Sequence, residues 1–247
     1  MSSSPSSNAL QNIAARRAFL HAATLVDAAS QCPHCFGIKS PNYATCHGCG
    51  FLDVAPWGRA AAWYGTIVVK GSALYWDFNN YKRFGPATLG ESWQRVTSLL
   101  SLATWTHAEA IATHLGGEPT IVCPVPSSRG MTVEAQPLTV AIQHCALMKH
   151  HFVPALRAHP TLRRDKGLFQ PEYFVPARDV RGERIVLVED LTASGRTAYS
   201  AWYALRSAGA QVAMLSIARL MSPDFRNADD VLARLPRPAW FDHIPPE

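Results

Sequence analysis

Lysine is scarce in this chain: five of the 23 basic residues are lysine and 18 are arginine, among 247 residues in all. Charged residues make up only 17% of the sequence, the formal net charge is +5, and no run of basic residues exceeds two. That excludes a polybasic tail that would hold nucleic acid or an acidic surface by charge density alone. It leaves room for an anionic ligand, because guanidinium groups suit two-point contacts with phosphate or carboxylate. Long apolar runs are missing too, and no stretch reaches the 18 or so residues that a membrane-spanning helix requires. The sequence has no Gly-x-x-x-x-Gly-Lys, no His-Glu-x-x-His, no arguable Ser-His-Asp order and no internal repeat. What it does have is 48% hydrophobic residues, enough for a packed core. The length fits one large domain, or one domain with a small attachment.

The first nine residues, rich in serine, read as a disordered tail. Arg16-Arg17-Ala18-Phe19-Leu20 has the look of a twin-arginine export signal. However, the segment after it is short and carries His21 and Asp27 where such a signal must be apolar. An amphipathic helix over about 10–28, burying Leu10, Ile13, Ala14, Phe19 and Leu25, is the better reading, and the expected location is cytoplasmic.

Six cysteines come as two groups. Cys32-Pro-His-Cys35 and Cys46-His-Gly-Cys49 form two matched knuckles with ten residues between them, whereas Cys123 and Cys145 stand alone among apolar neighbours. Two Cys-x-x-Cys knuckles set four thiolates around one tetrahedral ion, and in a cytoplasmic chain this pattern is a structural zinc site more often than a disulfide or redox pair. The ligands would be Cys32, Cys35, Cys46 and Cys49, with His34 and His47 as bystanders or as substitutes for one of them. Cys123 and Cys145 read as packed core thiols.

Along the rest of the chain, Thr66–Lys70 reads as a strand and 87–115 as one or two helices. Thr120–Pro126 is a strand ending in a turn, Leu138–Met148 a helix after Pro137, and Phe152–Leu156 a short strand. Residues 157–184 form a long basic loop. Ile185–Val188 is a buried strand, 197–208 a helix ended by Gly209, and Gln211–Ile217 a second strand. Continuous rather than alternating apolar strands in a β-loop-α-β order predict a parallel sheet covered on both faces, and so an α/β fold. The Pro-rich segment 221–247 reads as an extension.

The segment Ile185-Val-Leu-Val-Glu189-Asp190-Leu-Thr192-Ala193-Ser194-Gly195-Arg196-Thr197 carries the functional reading. Two acids leave the end of a buried parallel strand, where open α/β sheets bind ligands. Free amides at the following helix start and three hydroxyls can surround a phosphate, and the glycine permits close approach. Adjacent carboxylates accept hydrogen bonds from vicinal hydroxyls, so a sugar phosphate satisfies both halves. The bland alternative is a strand end followed by an ordinary helix cap.

This segment resembles the phosphoribosyl-pyrophosphate (PRPP) signature of type I phosphoribosyltransferases. Here Glu189 stands for the usual first aspartate, Thr192 for an aliphatic residue, and Ala193-Ser194 for the common Thr-Thr. Together with the four-cysteine element, Tyr81-Lys82, the Pro124-Val125-Pro126 strand end, the basic stretch with Gln170 and Gly209-Ala210, the order of landmarks over residues 30–220 is similar to the ComF family.

The resemblance implies a type I phosphoribosyltransferase-like domain over 57–220, behind a zinc-ribbon-like element and helix over 10–56. It implies that Thr192, Ala193, Ser194, Gly195, Arg196 and Thr197 hold the 5′-phosphate and that Glu189 and Asp190 are catalytic, facing the ribose hydroxyls. Arg129, in Pro-Val-Pro-Ser-Ser-Arg-Gly, would meet pyrophosphate. Arg164 and Lys166, with Arg163, would belong to a mobile hood, unless they form a solvated loop face. The implied partners are PRPP with Mg²⁺ and an unidentified base or amine acceptor, as in nucleotide metabolism. Alternatively, the protein is a non-catalytic sensor or adaptor acting with single-stranded DNA or a protein in DNA uptake (competence) or repair. A homo-oligomer is compatible with the sequence.

Overall fold

The computed structural model describes residues 5–53, 58–84, 90–127, 131–165, 168–225 and 227–245. Its centre is a four-stranded, wholly parallel sheet. The strands are β1 (Ala62–Val69), β2 (Ile121–Pro124), β5 (Arg184–Thr192) and β6 (Gln211–Met221), in the spatial order β1-β6-β5-β2. A separate antiparallel pair, β3 (Leu156–Ala158) and β4 (Phe174–Pro176), lies inside the stretch expected to be a loop.

The unbroken apolar runs have the meaning expected of them. Successive residues of a strand face opposite sides, so Val186, Val188, Ala213 and Leu215 join one core and Ile185, Leu187, Val212 and Met214 the other. The first face is covered by α1 (Ser7–Ile13), α3 (Ala73–Phe84), α4 (Glu91–Leu115) and α5 (Pro137–His144), whereas α2 (His47–Asp53) carries Cys49 of the second knuckle. The second is covered by α6 (Arg196–Ser207) and the β3–β4 pair.

The helical region before β2 is one helix of 25 residues, α4, which contains no glycine or proline. Three of its threonines satisfy their hydroxyls within the helix: Thr97, Thr104 and Thr106 each donate to the carbonyl four residues back, at 2.7–2.8 Å. The helix stops at Gly116, whose φ of 68° is a left-handed cap. It lies close on the sheet because Gly65 has no side chain. A Cβ there would fall 2.6 Å from Ala103 Cβ and 2.7 Å from the Ile217 carbonyl.

Three expectations need correction. Helix α1 begins at Ser7, inside the stretch expected to be a tail, and Ala9 is already buried. The first helix is short: α1 is followed by a 3-10 stretch, Ala14–Phe19, and then by extended chain, where His21 bridges Ile67 of β1. Leu10 and Ile13 are buried as expected, while Phe19 and Leu25 are exposed. The Pro-rich end is part of the fold. Trp240 and Ile244 belong to the core beneath α4, and α7 (Ala228–Arg234) contributes Val231 to a cluster with Ile67 and Met221. Among the described residues, no helix is long and apolar enough to cross a membrane.

Candidate functional site

The C-terminal ends of β2 and β5 open into a cleft of about 230 Å³ whose walls include Tyr81, Lys82, Gln136, Arg164, Glu189, Asp190 and Thr197. The strand runs further than the sequence suggests. β5 continues through both acids to Thr192, so the connection to α6 is only Ala193-Ser194-Gly195. Because the acids are consecutive in a strand, they take different surroundings.

Asp190 is buried against α3. The Tyr81 hydroxyl donates to its Oδ2, Lys82 Nζ lies 2.8 Å from the carboxylate, and the Leu191 amide donates to Oδ1 at 2.6 Å. Burial pushes its pKa upward, but the Lys82 charge and these hydrogen bonds more than offset that and hold it below the ordinary aspartate value. Glu189 is the opposite case. Its Oε2 is buried without a hydrogen-bond partner. Burial, followed by the neighbouring Asp190 charge, pushes its carboxyl up to about 8 against the pull of Lys82 and Arg164. The two environments thus act in opposite directions, favouring the carboxylate on Asp190 and the protonated form on Glu189.

Arg164 reaches the cleft from the segment between β3 and β4. It donates to Thr197 Oγ1 and stacks over the Tyr173 and Phe174 rings, 5.8 and 5.6 Å from their centroids. Burial lowers its pKa, against the Glu189 charge. The loop before α6 turns through Gly195 at φ 78°, and a Cβ there would meet the Tyr199 ring at 2.8 Å, so a side chain is excluded on both counts.

Of the three hydroxyls expected around a phosphate, only that of Ser194 is exposed. Thr192 is buried and donates to Ser216 Oγ at 2.9 Å, because it is still a strand residue. Thr197 already receives Arg164. Ala193 is exposed beside Ser194, and Arg196 points toward His47 Nδ1 at 3.4 Å. The expected pyrophosphate contact Arg129 and the hood residue Lys166 lie outside the described residues. Arg163 is exposed and lines a second groove, which shares Gln136 and Arg164 with the cleft. Gln136 is buried, and its Nε2 has no partner.

Cys32, Cys35, Cys46 and Cys49 form the second centre. All four are buried free thiols with their sulfurs within 4.8 Å of one another. Four sulfurs at about 2.3 Å from a central ion stand about 3.8 Å apart, and Cys35 Sγ and Cys46 Sγ are separated by 3.6 Å. The set fits zinc. His34 is engaged by Arg59 at 2.8 Å and His47 by Arg196, which leaves the four cysteines as the ligand set.

Two participants carried weaker signals in the sequence. Tyr81 and Lys82 stood out as a landmark but not as the partners of Asp190, since nothing local links residues 108 and 109 positions apart. Arg219 is a lone charge inside the apolar run of β6 (Met214-Leu-Ser-Ile-Ala-Arg-Leu-Met221), and that interruption was the available sign. It is buried and bridges the cysteine cluster and β5.

No protein-family model and no curated protein sequence matches the chain. Among solved structures, a phosphoribosyltransferase from Corynebacterium diphtheriae aligns over 57% of this chain and 68% of its own, at 20% identity and a TM-score of 0.32. A match that loose transfers neither residues nor activity.

Proposed function

We propose that the cleft binds PRPP with Mg²⁺ and transfers its phosphoribosyl group to a base or amine, releasing pyrophosphate. The observation that carries this reading is the acid pair at the end of a buried parallel strand, joined by a three-residue loop to a helix start, with both acids, Thr197 of that helix and two cationic side chains lining one cleft. The exposed loop Ala193-Ser194 and the amides at the start of α6 would receive the 5′-phosphate. Glu189, with an oxygen that has no protein partner, would meet the ribose hydroxyls, and Asp190 would be held in place by Tyr81 and Lys82.

In the reaction the acceptor nitrogen bonds to C1′, the C1′–oxygen bond breaks, and both electrons of that bond leave with pyrophosphate. A bound Mg²⁺ would offset the charge on the leaving group. Positive charge grows at C1′ as that bond breaks, and the Asp190 carboxylate beneath the ribose would stabilise it. Arg164 would face the phosphates from the hood side, and Gln136 Nε2 would donate to an oxygen of the acceptor. The proton lost by the acceptor nitrogen would pass to solvent or to the departing pyrophosphate. Positioning of the two reactants supplies much of the rate.

Calorimetric titration of the zinc-loaded protein with PRPP and Mg²⁺, alongside Asp190→Ala and a pyrophosphate-release assay over a panel of bases and amines, tests this. Binding lost in the variant and release with one acceptor are expected. Unchanged affinity in Asp190→Ala would remove the assignment.

A second reading has an observation of its own. Tyr43 and Phe225 are 68% and 56% exposed and flank a groove between the cysteine element and the end of β6. Exposed rings beside a zinc element suit base stacking, which favours a non-catalytic adaptor that engages single-stranded DNA in uptake or repair. Salt-dependent DNA binding that is lost with the cysteines would support it; no binding at low salt would exclude it.

A further inference from the structure

Arg219 is 6% exposed. Its guanidinium donates to the Cys35 carbonyl at 3.0 Å, to Cys35 Sγ at 3.4 Å, to the Thr192 carbonyl at 2.9 Å and to the Leu220 carbonyl at 2.7 Å. No carboxylate among the described residues is paired with it. A buried guanidinium needs an opposing charge, and among the described residues the group it touches that a bound metal would hold as an anion is Cys35 Sγ. Four thiolates around one divalent ion carry a net charge of about −2, so the loaded centre and Arg219 neutralise each other in part. Without metal, nothing ties the first knuckle together, and the Cys35 and Gly37 backbone is free to leave the guanidinium it now encloses.

Thr192 is the last residue of β5, and the loop Ala193-Ser194-Gly195 leaves from it. The same loop is touched by the second knuckle. A Cβ on Gly48 would fall 2.5 Å from the Ser194 carbonyl, so the knuckle backbone lies directly on the loop. Gly37 has no room for a Cβ for the same kind of reason, its space being filled by the Arg219 guanidinium. Arg196, the first residue of α6, meets His47. The cysteine element therefore supports one side of the loop from knuckle to helix start.

We propose that the zinc centre and the phosphate loop form one linked binding unit, in which zinc occupancy sets the loop's affinity for a sugar phosphate and Arg219 is the positioning residue between them. This rests on the reading that the loop holds the 5′-phosphate. Removing zinc frees the Arg219 guanidinium to seek solvent, releases the Thr192 carbonyl and loosens the loop. The two large cores contain none of the four cysteines, which form a small cluster with Tyr64, so the rest of the fold stays intact. Linkage is reciprocal: a ligand that orders the loop must tighten zinc by the same factor, typically about 5- to 150-fold.

The test uses the full chain and ribose 5-phosphate as the probe. Zinc affinity is measured by competition with a chromophoric chelator, with and without saturating ribose 5-phosphate, in the wild type and in Arg219→Lys. Lysine keeps a charge but cannot bridge the sulfur and the carbonyl together. Calorimetry establishes whether the probe binds the loaded protein. In parallel, Co²⁺ replaces zinc in both proteins and the sulfur-to-cobalt absorption bands are followed as the probe is added. The expected result is probe binding, zinc held at least ~5-fold tighter in its presence, a shift in the cobalt bands, and loss of both effects in Arg219→Lys with zinc and probe each still bound. Probe binding without any change in zinc affinity or cobalt spectrum would overturn the linkage and leave the proposed function standing. Failure of ribose 5-phosphate to bind the loaded wild type would overturn both.

Discussion

Glu189→Gln should stabilise the protein, and increasingly so as pH rises. The substitution keeps the shape of the side chain and removes only its ability to ionise. The carboxyl is ordinary, at 4.5, in the unfolded chain and about 8 in the folded one. Between those values the folded state binds the extra proton, so folding stability falls as pH rises from about 4.5 to about 8 and then levels off. At roughly 1.4 kcal/mol per pH unit, the gap sets a ceiling of about 5 kcal/mol. Glu189 is only half-buried, and solvent at the cleft mouth reduces this, so an advantage of about 2 kcal/mol for the glutamine variant is expected at pH 9. In a chain of this length that raises Tm by roughly 4–8 °C. At pH 4.5 and below, where both forms are neutral, the two proteins should melt together. Scanning calorimetry of the zinc-loaded pair from pH 4.5 to 9 measures this directly. A difference that stays flat with pH, or a variant less stable than the wild type at pH 9, would show that Glu189 is ionised and paired in the folded protein, and the argument from its partnerless oxygen would fail.

Gly195→Ala forces a side chain into a left-handed residue and against the Tyr199 ring; a loss of about 1–3 kcal/mol and of ribose 5-phosphate binding, with zinc content unchanged, is expected from thermal melts and calorimetry. Asp77→Ala removes a buried carboxylate that holds Arg16 at 2.6 Å, Ser92 at 2.8 Å and Arg95 at 3.2 Å, leaving Arg16 without its carboxylate and Arg95 with the exposed Glu91 alone; urea unfolding should show a loss of about 3–5 kcal/mol, and less than about 1 would mean that solvent reaches the cluster. Metal analysis should find one zinc per chain, and a chelator should expose four thiols to a disulfide reagent while two stay hidden until unfolding. The protected pair are Cys123, whose thiol burial pushes up to about 12, and Cys145; six reactive thiols after chelation would contradict the separation of the cysteine cluster from the cores.

The sheet was legible because its signal is local. Runs such as Ile185-Val-Leu-Val and Gln211–Ile217 show at once that both faces are covered, and the structure divides their side chains between two cores. The cysteine centre was legible for the same reason, since matched knuckles put the ligands close in sequence. The less legible features depend on partners far along the chain. The end of β5 was placed too early because acids ordinarily close an apolar strand, whereas here Tyr81 and Lys82 cover Asp190 and β6 pairs with Glu189, Leu191 and Thr192. Phe19 and Leu25 follow helical spacing, but the chain leaves the helix so that His21 can bridge β1, and tertiary pairing overrides the pattern.

The same argument explains why the four-cysteine element and the acidic cleft share one chain. As separate parts, a clip over residues 10–56 and a domain from 57 onward would need nothing more than a linker. The contacts instead run from Cys35 to Arg219, 184 positions apart, and from His47 to Arg196, 149 apart. A three-residue loop offers few internal contacts to hold its amides in place, and the hydroxyls on either side of it are committed elsewhere: Thr192 to the sheet, Thr197 to Arg164. Its shape is therefore determined by what lies against it. On one side that is Tyr199 under Gly195, and on the other Gly48 of the second knuckle. A tetrahedral metal centre fixes backbone positions with little chain and no large core, which is what a loop this short lacks. In the proposed linkage, the cysteine element holding zinc would supply from outside the rigidity that a longer loop would build from its own hydrogen bonds.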